Sequence, residues 1–160
     1  MTKPADRKTN AMRELDRAGV AYSAHWFQCP TALSGVEVSR LLDLDESQVF
    51  KTLVTVGKSG EHYVFMIPVA EELDLKKAAC AVGEKSIQMI KSKELLGLTG
   101  YIHGGCSPLG MKRTFTTTID ETALLVDTVI FSGGKIGCQI ETQLDELQRV
   151  FILGITDLCC

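Results

Sequence analysis

Lys51 stands where a lysine is unexpected. In the run Val49-Phe50-Lys51-Thr52-Leu53-Val54 the side chains of an extended segment alternate between two faces. Lys51 then shares a face with Val49 and Leu53, while Phe50, Thr52 and Val54 occupy the other. Apolar residues on both faces mark a strand covered on both sides, and an unpaired ammonium is costly to bury in such a place. Lys51 must either snorkel at an edge or meet a polar cavity, where a fixed positive charge can hold an anion or a developing oxyanion. Spacing alone leaves both readings open.

Two glycine-bearing loops are the other chemical signal. The first is Gly104-Gly105-Cys106-Ser107-Pro108-Leu109-Gly110 and the second Ser132-Gly133-Gly134-Lys135-Ile136-Gly137. Glycine lets main chain approach a ligand or another segment closely, so the pair suggests a pocket lined by backbone. Gly105 to Gly110 gives G-x-x-x-x-G, but Met111 follows in place of Lys and the next segment is β-like. A phosphate-binding loop needs that Lys at the start of a helix, so this reading is rejected. The second loop does not fit G-x-G-x-x-G, and Ser107 lacks the second glycine of a hydrolase nucleophile elbow. Lys112, Arg113 and Lys135 flank the loops and form either solvated charges or a local anion-attracting rim.

His25, His62 and His103 lie far apart, and the six cysteines (Cys29, Cys80, Cys106, Cys138, Cys159, Cys160) contain no C-x-x-C pair or zinc spacing. Reduced thiols and ordinary histidines are expected, with no metal and no cofactor. The 160 residues are 45% hydrophobic and 23% charged, with a formal net charge of −3, which suits one globular domain. That balance speaks against a broad grip on a DNA duplex. No apolar run reaches a membrane span and no secretory leader pattern opens the chain, so a cytoplasmic protein with no membrane partner is expected.

These groups must be positioned by a set of short elements. Met12, Leu15 and Ala18 predict a helix from Thr9 that stops at Gly19. Val20 to Phe27 reads as a strand and Val36 to Leu42 as a short helix. Val49 to Val56 and His62 to Pro68 flank Gly57-Lys58-Ser59-Gly60 and predict a hairpin. A helix from Leu73 to Val82, a strand from Ser86 to Ile90 and a short helix from Lys93 to Leu96 follow. Arg113 to Ile119, Leu124 to Phe131 and Gly137 to Glu141 read as extended. Thr142-Gln143-Leu144-Asp145 predicts an N-cap at Thr142 for a last helix. Residues 1–8 and 155–160 are expected to be loose. Helices interleaved with paired strands predict an α/β domain with a mixed sheet.

Four segments occur together in a recognisable order: Phe50-Lys51-Thr52-Leu53, Leu73-Asp74-Leu75-Lys76-Lys77, Gly100 to Gly110, and Ser132 to Gly137. They resemble the YbaK/EbsC-type aminoacyl-tRNA deacylases, relatives of the editing domain inserted in bacterial prolyl-tRNA synthetase. The resemblance covers Val20 to Phe151. It implies a single α/β domain, 1–160, with a mixed, curved β-sheet flanked by helices. It implies hydrolysis of the ester joining a wrong amino acid to tRNA, most often Cys-tRNA(Pro), without metal or enzyme nucleophile. The substrate's own thiol is then the attacking group and leaves as a cyclic thiolactone. Lys51 becomes the catalytic residue. Gly104, Gly105, Ser107 and Pro108 become the grip on the aminoacyl end, with Thr52, Ser132, Gly133 and Gly134 beside them. Phe27 stands where the family often has tyrosine and Gln139 where it often has aspartate, so both alter pocket polarity. The implied partners are the 3′ end of aminoacyl-tRNA and prolyl-tRNA synthetase. Deacylation of another amino acid such as alanine or serine, and a non-catalytic module binding a tRNA end or nucleotide, are the alternatives.

Overall fold

The computed structural model describes residues 8–28 and 33–160. Helix α1 (Asn10–Ala18) buries Ala11, Met12 and Leu15 on one side. The Thr9 hydroxyl accepts from Met12 N at its start, and Gly19 closes it in the left-handed conformation that favours glycine. Strand β1 (Ser23–Trp26) and helix α2 (Gly35–Leu41) follow, then a single 3₁₀ turn at Glu46–Gln48. The predicted hairpin is present as β2 (Phe50–Gly57) and β3 (His62–Pro68). Next come α3 (Leu75–Val82), β4 (Ile87–Met89) and α4 (Ser92–Thr99). The chain ends with β5 (Thr116–Asp120), a 3₁₀ turn at Glu121–Leu125, β6 (Val129–Ser132), β7 (Cys138–Thr142), α5 (Leu144–Gln148) and β8 (Leu153–Thr156).

The strand directions are mixed, as expected, but the strands divide into two sheets rather than one. The larger has the order β4-β2-β3-β5-β8, with β4, β2 and β3 antiparallel and β3, β5 and β8 parallel. The smaller is β1-β7-β6, all antiparallel. A single parallel bridge between Val49 and Ile130 joins them. Between the sheets, Phe50, Met66 and Ile119 of the larger meet Phe131, Cys138 and Ile140 of the smaller, with the buried stripe of α1 closing the cluster. On the other face of the larger sheet, Phe65 and Ile67 pack under α3 through Ala78 and Ala79. Each face of the hairpin is therefore covered, and burial of this apolar surface is the main drive for the layering.

Two expectations fail at the C-terminal end. Thr142 is not a helix cap: it is the buried last residue of β7, and its hydroxyl donates to Ala21 O at 2.8 Å. The cap position of α5 falls to Gln143. The chain after residue 155 is not loose either. β8 pairs in parallel with β5, Leu158 is fully buried, and Cys160 N donates to Glu72 O at 3.2 Å. The reason is Asp120. Its carboxylate is buried and accepts from Leu158 N at 2.8 Å, from Thr122 N at 3.1 Å and from Thr122 Oγ1 at 2.6 Å. Lys77 Nζ adds bonds to Asp157 Oδ2 and Cys159 O, both at 2.7 Å. Of the expected loose start, residues 1–7 lie outside the described residues, and Lys8 is paired with Asp16.

Burial alone would push the Asp120 carboxyl up, but the bonds from Thr122 Oγ1, Leu158 N and Thr122 N together hold it below its usual value. A depressed carboxylate stabilises the fold above its unfolded value of about 3.9, and that contribution is lost as pH falls through the lower folded value. Asp120→Ala is expected to cost about 2–4 kcal/mol at pH 7, because it orphans the buried Leu158 N–H. The gap between wild type and variant in thermal denaturation should narrow below pH 4. An equal melting temperature at pH 7 would show that the C-terminal segment is held otherwise.

Candidate active site

The site exists because β4 is short. Its three residues pair only with Thr55, Val56 and Gly57 of β2, and Ile90 N adds a bond to Val54 O at 3.3 Å. At the start of that edge Val49 is bridged to Ile130 of β6, and among the described residues no strand pairing runs beside Lys51 to Leu53. Val69 N donates to Val49 O at 2.9 Å and Gly57 N to Glu61 O at 2.8 Å. These bonds at the two ends of the hairpin show that the odd-numbered residues of β2 exchange hydrogen bonds with β3. The N–H and C=O of Thr52 therefore face the open edge.

That edge borders a cavity of about 530 Å³, within the usual range for small-molecule sites. Residues 49–54 form its floor. Leu33, Ser34, Gly35 and Val38 close one end, and Met89, Ile90, Ser92 and Leu95 the other. His103, Gly104 and Cys106 come from the first glycine loop, and Ser132 and Gln139 from the smaller sheet. Ser132 and Gln139 reach the cavity together because they are cross-strand partners in the β6–β7 pair. Among the described residues, neither a hydrogen bond nor an ion pair engages Lys51 Nζ, and Thr52 Oγ1 is buried without a partner. A buried polar atom without a partner is uncommon and calls for an explanation. Among the described residues the lining includes Lys51 and His103 but no carboxylate, so none of them cancels the lysine's charge.

Of the residues expected at the site, Lys51, Thr52, Gly104, Ser132 and Gln139 line the cavity. Phe27, Gly105, Ser107, Pro108, Gly133 and Gly134 do not line it. They support the wall from behind. Phe27 N donates to Gly137 O at 2.9 Å and ties β1 to the second glycine loop. Gly105 lies against the main chain of that loop, where an added Cβ would sit 3.1 Å from Ile136 N. The Tyr101 ring covers Gly134, and its hydroxyl donates to Leu109 O at 2.5 Å. Ser107 is fully buried, with its hydroxyl accepting from Leu109 N at 3.4 Å. The glycines thus allow two loops and a ring to meet at contact distance, which is a packing use of small residues rather than a ligand contact.

His103, Cys106, Ser92 and the apolar residues of the β4–α4 end were missed from sequence, since single residues in loops carry no spacing signal. Leu33, Ser34 and Gly35, which lead into α2, also line the pocket; Cys29 to Ala32 lie outside the described residues. Among the described residues Cys106 is the only thiol in the wall, and burial pushes it up to about 12. At neutral pH it is a neutral, weakly nucleophilic group. Among the described residues no group of three His, Cys, Asp or Glu side chains is placed to hold a metal ion, and no helix is long and apolar enough to cross a membrane.

Comparison with known proteins gives this geometry a family. The model of the aminoacyl-tRNA editing domain matches residues 29–150. The chain belongs to the aminoacyl-tRNA editing domain family. It is 44% identical over 140 residues to a protein of Enterococcus faecalis assigned as the Cys-tRNA(Pro)/Cys-tRNA(Cys) deacylase EbsC, covering 87% of this chain and 85% of that one. It is 26% identical over 132 residues to a proline–tRNA ligase of Trichlorobacter lovleyi, covering 77% of this chain but 23% of the ligase. A crystal structure of a protein assigned as a trans-editing enzyme for prolyl-tRNA synthetase superposes with a TM-score of 0.84 at 25% identity, over 100% of this chain and 99% of that one. The mixed α/β fold expected for this editing family is therefore the one observed.

The raised Cys106 thiol predicts a labelling order. With iodoacetamide at pH 8, peptide mapping should find the exposed Cys80 and Cys160 modified first and Cys106 and Cys138 last. Unfolding in denaturant should equalise all four. Fast labelling of Cys106 in the folded protein would place a reactive thiolate in the cavity and reopen enzyme-based nucleophilic catalysis.

Proposed function

We propose that this chain is a trans-editing aminoacyl-tRNA deacylase whose substrate is Cys-tRNA(Pro). The reaction class follows from family membership, and the likeness to EbsC along most of that protein's length supports the choice of cysteine. The observation that carries the reading is Lys51, unpaired among the described residues, beside the open edge of β2 in a cavity of about 530 Å³ whose described lining holds no carboxylate.

In this reading the aminoacyl ester lies along Phe50 to Val54. The Thr52 main chain and hydroxyl, with Gly104, hold the amino acid and terminal ribose. Lys51 faces the carbonyl, where a fixed positive charge stabilises the oxyanion more than the neutral ester. The substrate sulfur bonds to its own carbonyl carbon, the ester C–O bond breaks, and the ribose oxygen leaves carrying the proton given up by the thiol. The products are a cyclic thiolactone and free tRNA. Cys106, held neutral by burial, contributes surface rather than a second nucleophile. Val38, Val49, Val69 and Leu95 surround the cavity with small and branched apolar groups, which suits a compact side chain. Ser132 and Gln139 give the opposite wall its polarity, with Ser132 Oγ accepting from Gly134 N at 3.2 Å. Phe27, Gly105, Ser107, Pro108, Gly133 and Gly134 act by holding that wall in place. A net charge of −3 gives little general attraction for tRNA, so docking on prolyl-tRNA synthetase would supply selectivity for the tRNA.

Single-turnover deacylation tests the role of Lys51. Lys51→Ala should lower the rate on Cys-tRNA(Pro) by about 10²–10³-fold, the usual effect of removing one oxyanion-stabilising group, and leave the fold intact by circular dichroism. Full activity in the alanine variant would remove Lys51 from the mechanism. A panel of Cys-, Ala- and Ser-charged tRNA decides the substrate. Faster turnover of alanyl or seryl esters would refute the choice of cysteine, and binding with no turnover on any of them would point to the non-catalytic module. A synthetase pull-down that stays empty after tRNA addition would refute the docking partner.

A further inference from the structure

The cavity mouth at the β4–α4 end has a character its interior lacks. Met89 and His103 both line the cavity and are both exposed. Ile102, beside His103, is 52% exposed and Met89 is 46% exposed. The two segments are held side by side, because Ile90 and Leu95 share one apolar cluster with Tyr101 and Cys106. Large apolar groups left in solvent at the lip of a site usually mark a surface that is covered in use. Lys91 and Lys93 flank Ser92, itself a lining residue, and both are exposed. Glu94 is the nearest acid in sequence, and its carboxylate accepts from Lys91 N at 3.2 Å.

Flat apolar contacts, an imidazole and adjacent lysines are what a short single-stranded polynucleotide needs. Its bases seek apolar or aromatic faces and its phosphates seek cations. We propose that the unpaired 3′-terminal nucleotides of the tRNA cross this rim, with their bases over Met89, Ile102 and His103 and their phosphates toward Lys91 and Lys93. This rests on the deacylase reading and extends it. The rim holds the polynucleotide, while β2 and Lys51 act on the ester. It also places tRNA affinity in a local patch, which a chain of net negative charge requires.

The test separates grip from chemistry. His103→Ala and Lys93→Ala, both exposed positions, should raise KM for Cys-tRNA(Pro) about 5- to 30-fold, with kcat unchanged in Lys93→Ala. Lys93→Ala should also flatten the dependence of KM on salt, and His103→Arg should restore affinity. Hydrolysis of cysteine ethyl ester, which has no nucleotide, should not change in Lys93→Ala, a position outside the cavity lining. An unaltered KM in both alanine variants, or an equal fall in kcat on tRNA and on the small ester, would overturn the assignment. If wild type cleaves no charged tRNA, the deacylase reading fails separately. The rim is then tested by fluorescence anisotropy with an oligonucleotide ending in CCA that carries cysteine through a 3′-amide. Weaker binding by both alanine variants supports it, and equal binding refutes it.

Discussion

The half-paired edge of β2 is the constraint on which the site depends. A strand inside a sheet has its main-chain groups bonded on both sides. Here β4 stops after three residues, and the ladder ends at Val54. The open half exposes the polar edge at Thr52 and leaves space beside Lys51. The same residues that would make a covered strand, Val49 to Val54, then become the floor of a cavity. Shortening one neighbour thus leaves a structural strand with an open edge on a cavity. It also lets a lysine survive between apolar faces, because the cavity admits water or an anionic substrate.

Everything around that edge keeps the gap from collapsing. An unpaired strand edge invites pairing with another segment, and an apolar-walled cavity lowers stability unless its walls are stiff. The stiffness comes from the glycine loops. Gly110 holds a left-handed backbone, donates its N–H to Glu14 Oε2 at 2.6 Å, and lies so close to α1 that a Cβ would meet Ala11 N at 2.7 Å. Gly105 seats the first loop on the second, and Tyr101 clamps both. The loops read at first as ligand cradles. They are mainly joints, and only Gly104 of the two glycine pairs reaches the wall.

Legibility followed the range of the interactions. α1, the β2–β3 hairpin and α3 are local structures with strong periodicity and clear caps, and they stand where the pattern put them. Lys51 was conspicuous because its type conflicted with its strand. What stayed hidden depended on distant partners. β8 is four residues with a glycine, and it orders through a parallel pairing and the Asp120 carboxylate. Thr142 carried a capping pattern, but a bond to Ala21, 121 positions away, made it a strand residue. Gly105, Gly133 and Gly134 announced close approach without naming the neighbour, and the neighbours seen are protein atoms of Ile136, Cys138 and Tyr101. His103 and Cys106 reach the cavity only because the first loop folds back over β2, and no local spacing encodes that fold-back.

The electrostatics of the wall bear on why so little machinery is present. Hydrolysis by an enzyme nucleophile needs an activated group with a base beside it. Among the described residues the one thiol in the wall, Cys106, is driven by burial in the opposite direction, and no carboxylate lies in the lining to serve as its partner. What the wall offers instead is one uncompensated cation and unmatched polar groups on a fixed strand. Such an arrangement lowers a barrier by stabilising charge that the substrate itself develops. In the proposed reaction, selectivity rests on whether the bound amino acid carries its own nucleophile in reach of its carbonyl. A cysteine ester does, whereas a prolyl ester, the correct product of the synthetase, has no such group on its side chain. A site that supplies charge but no nucleophile can therefore spare the correct ester without excluding it by size.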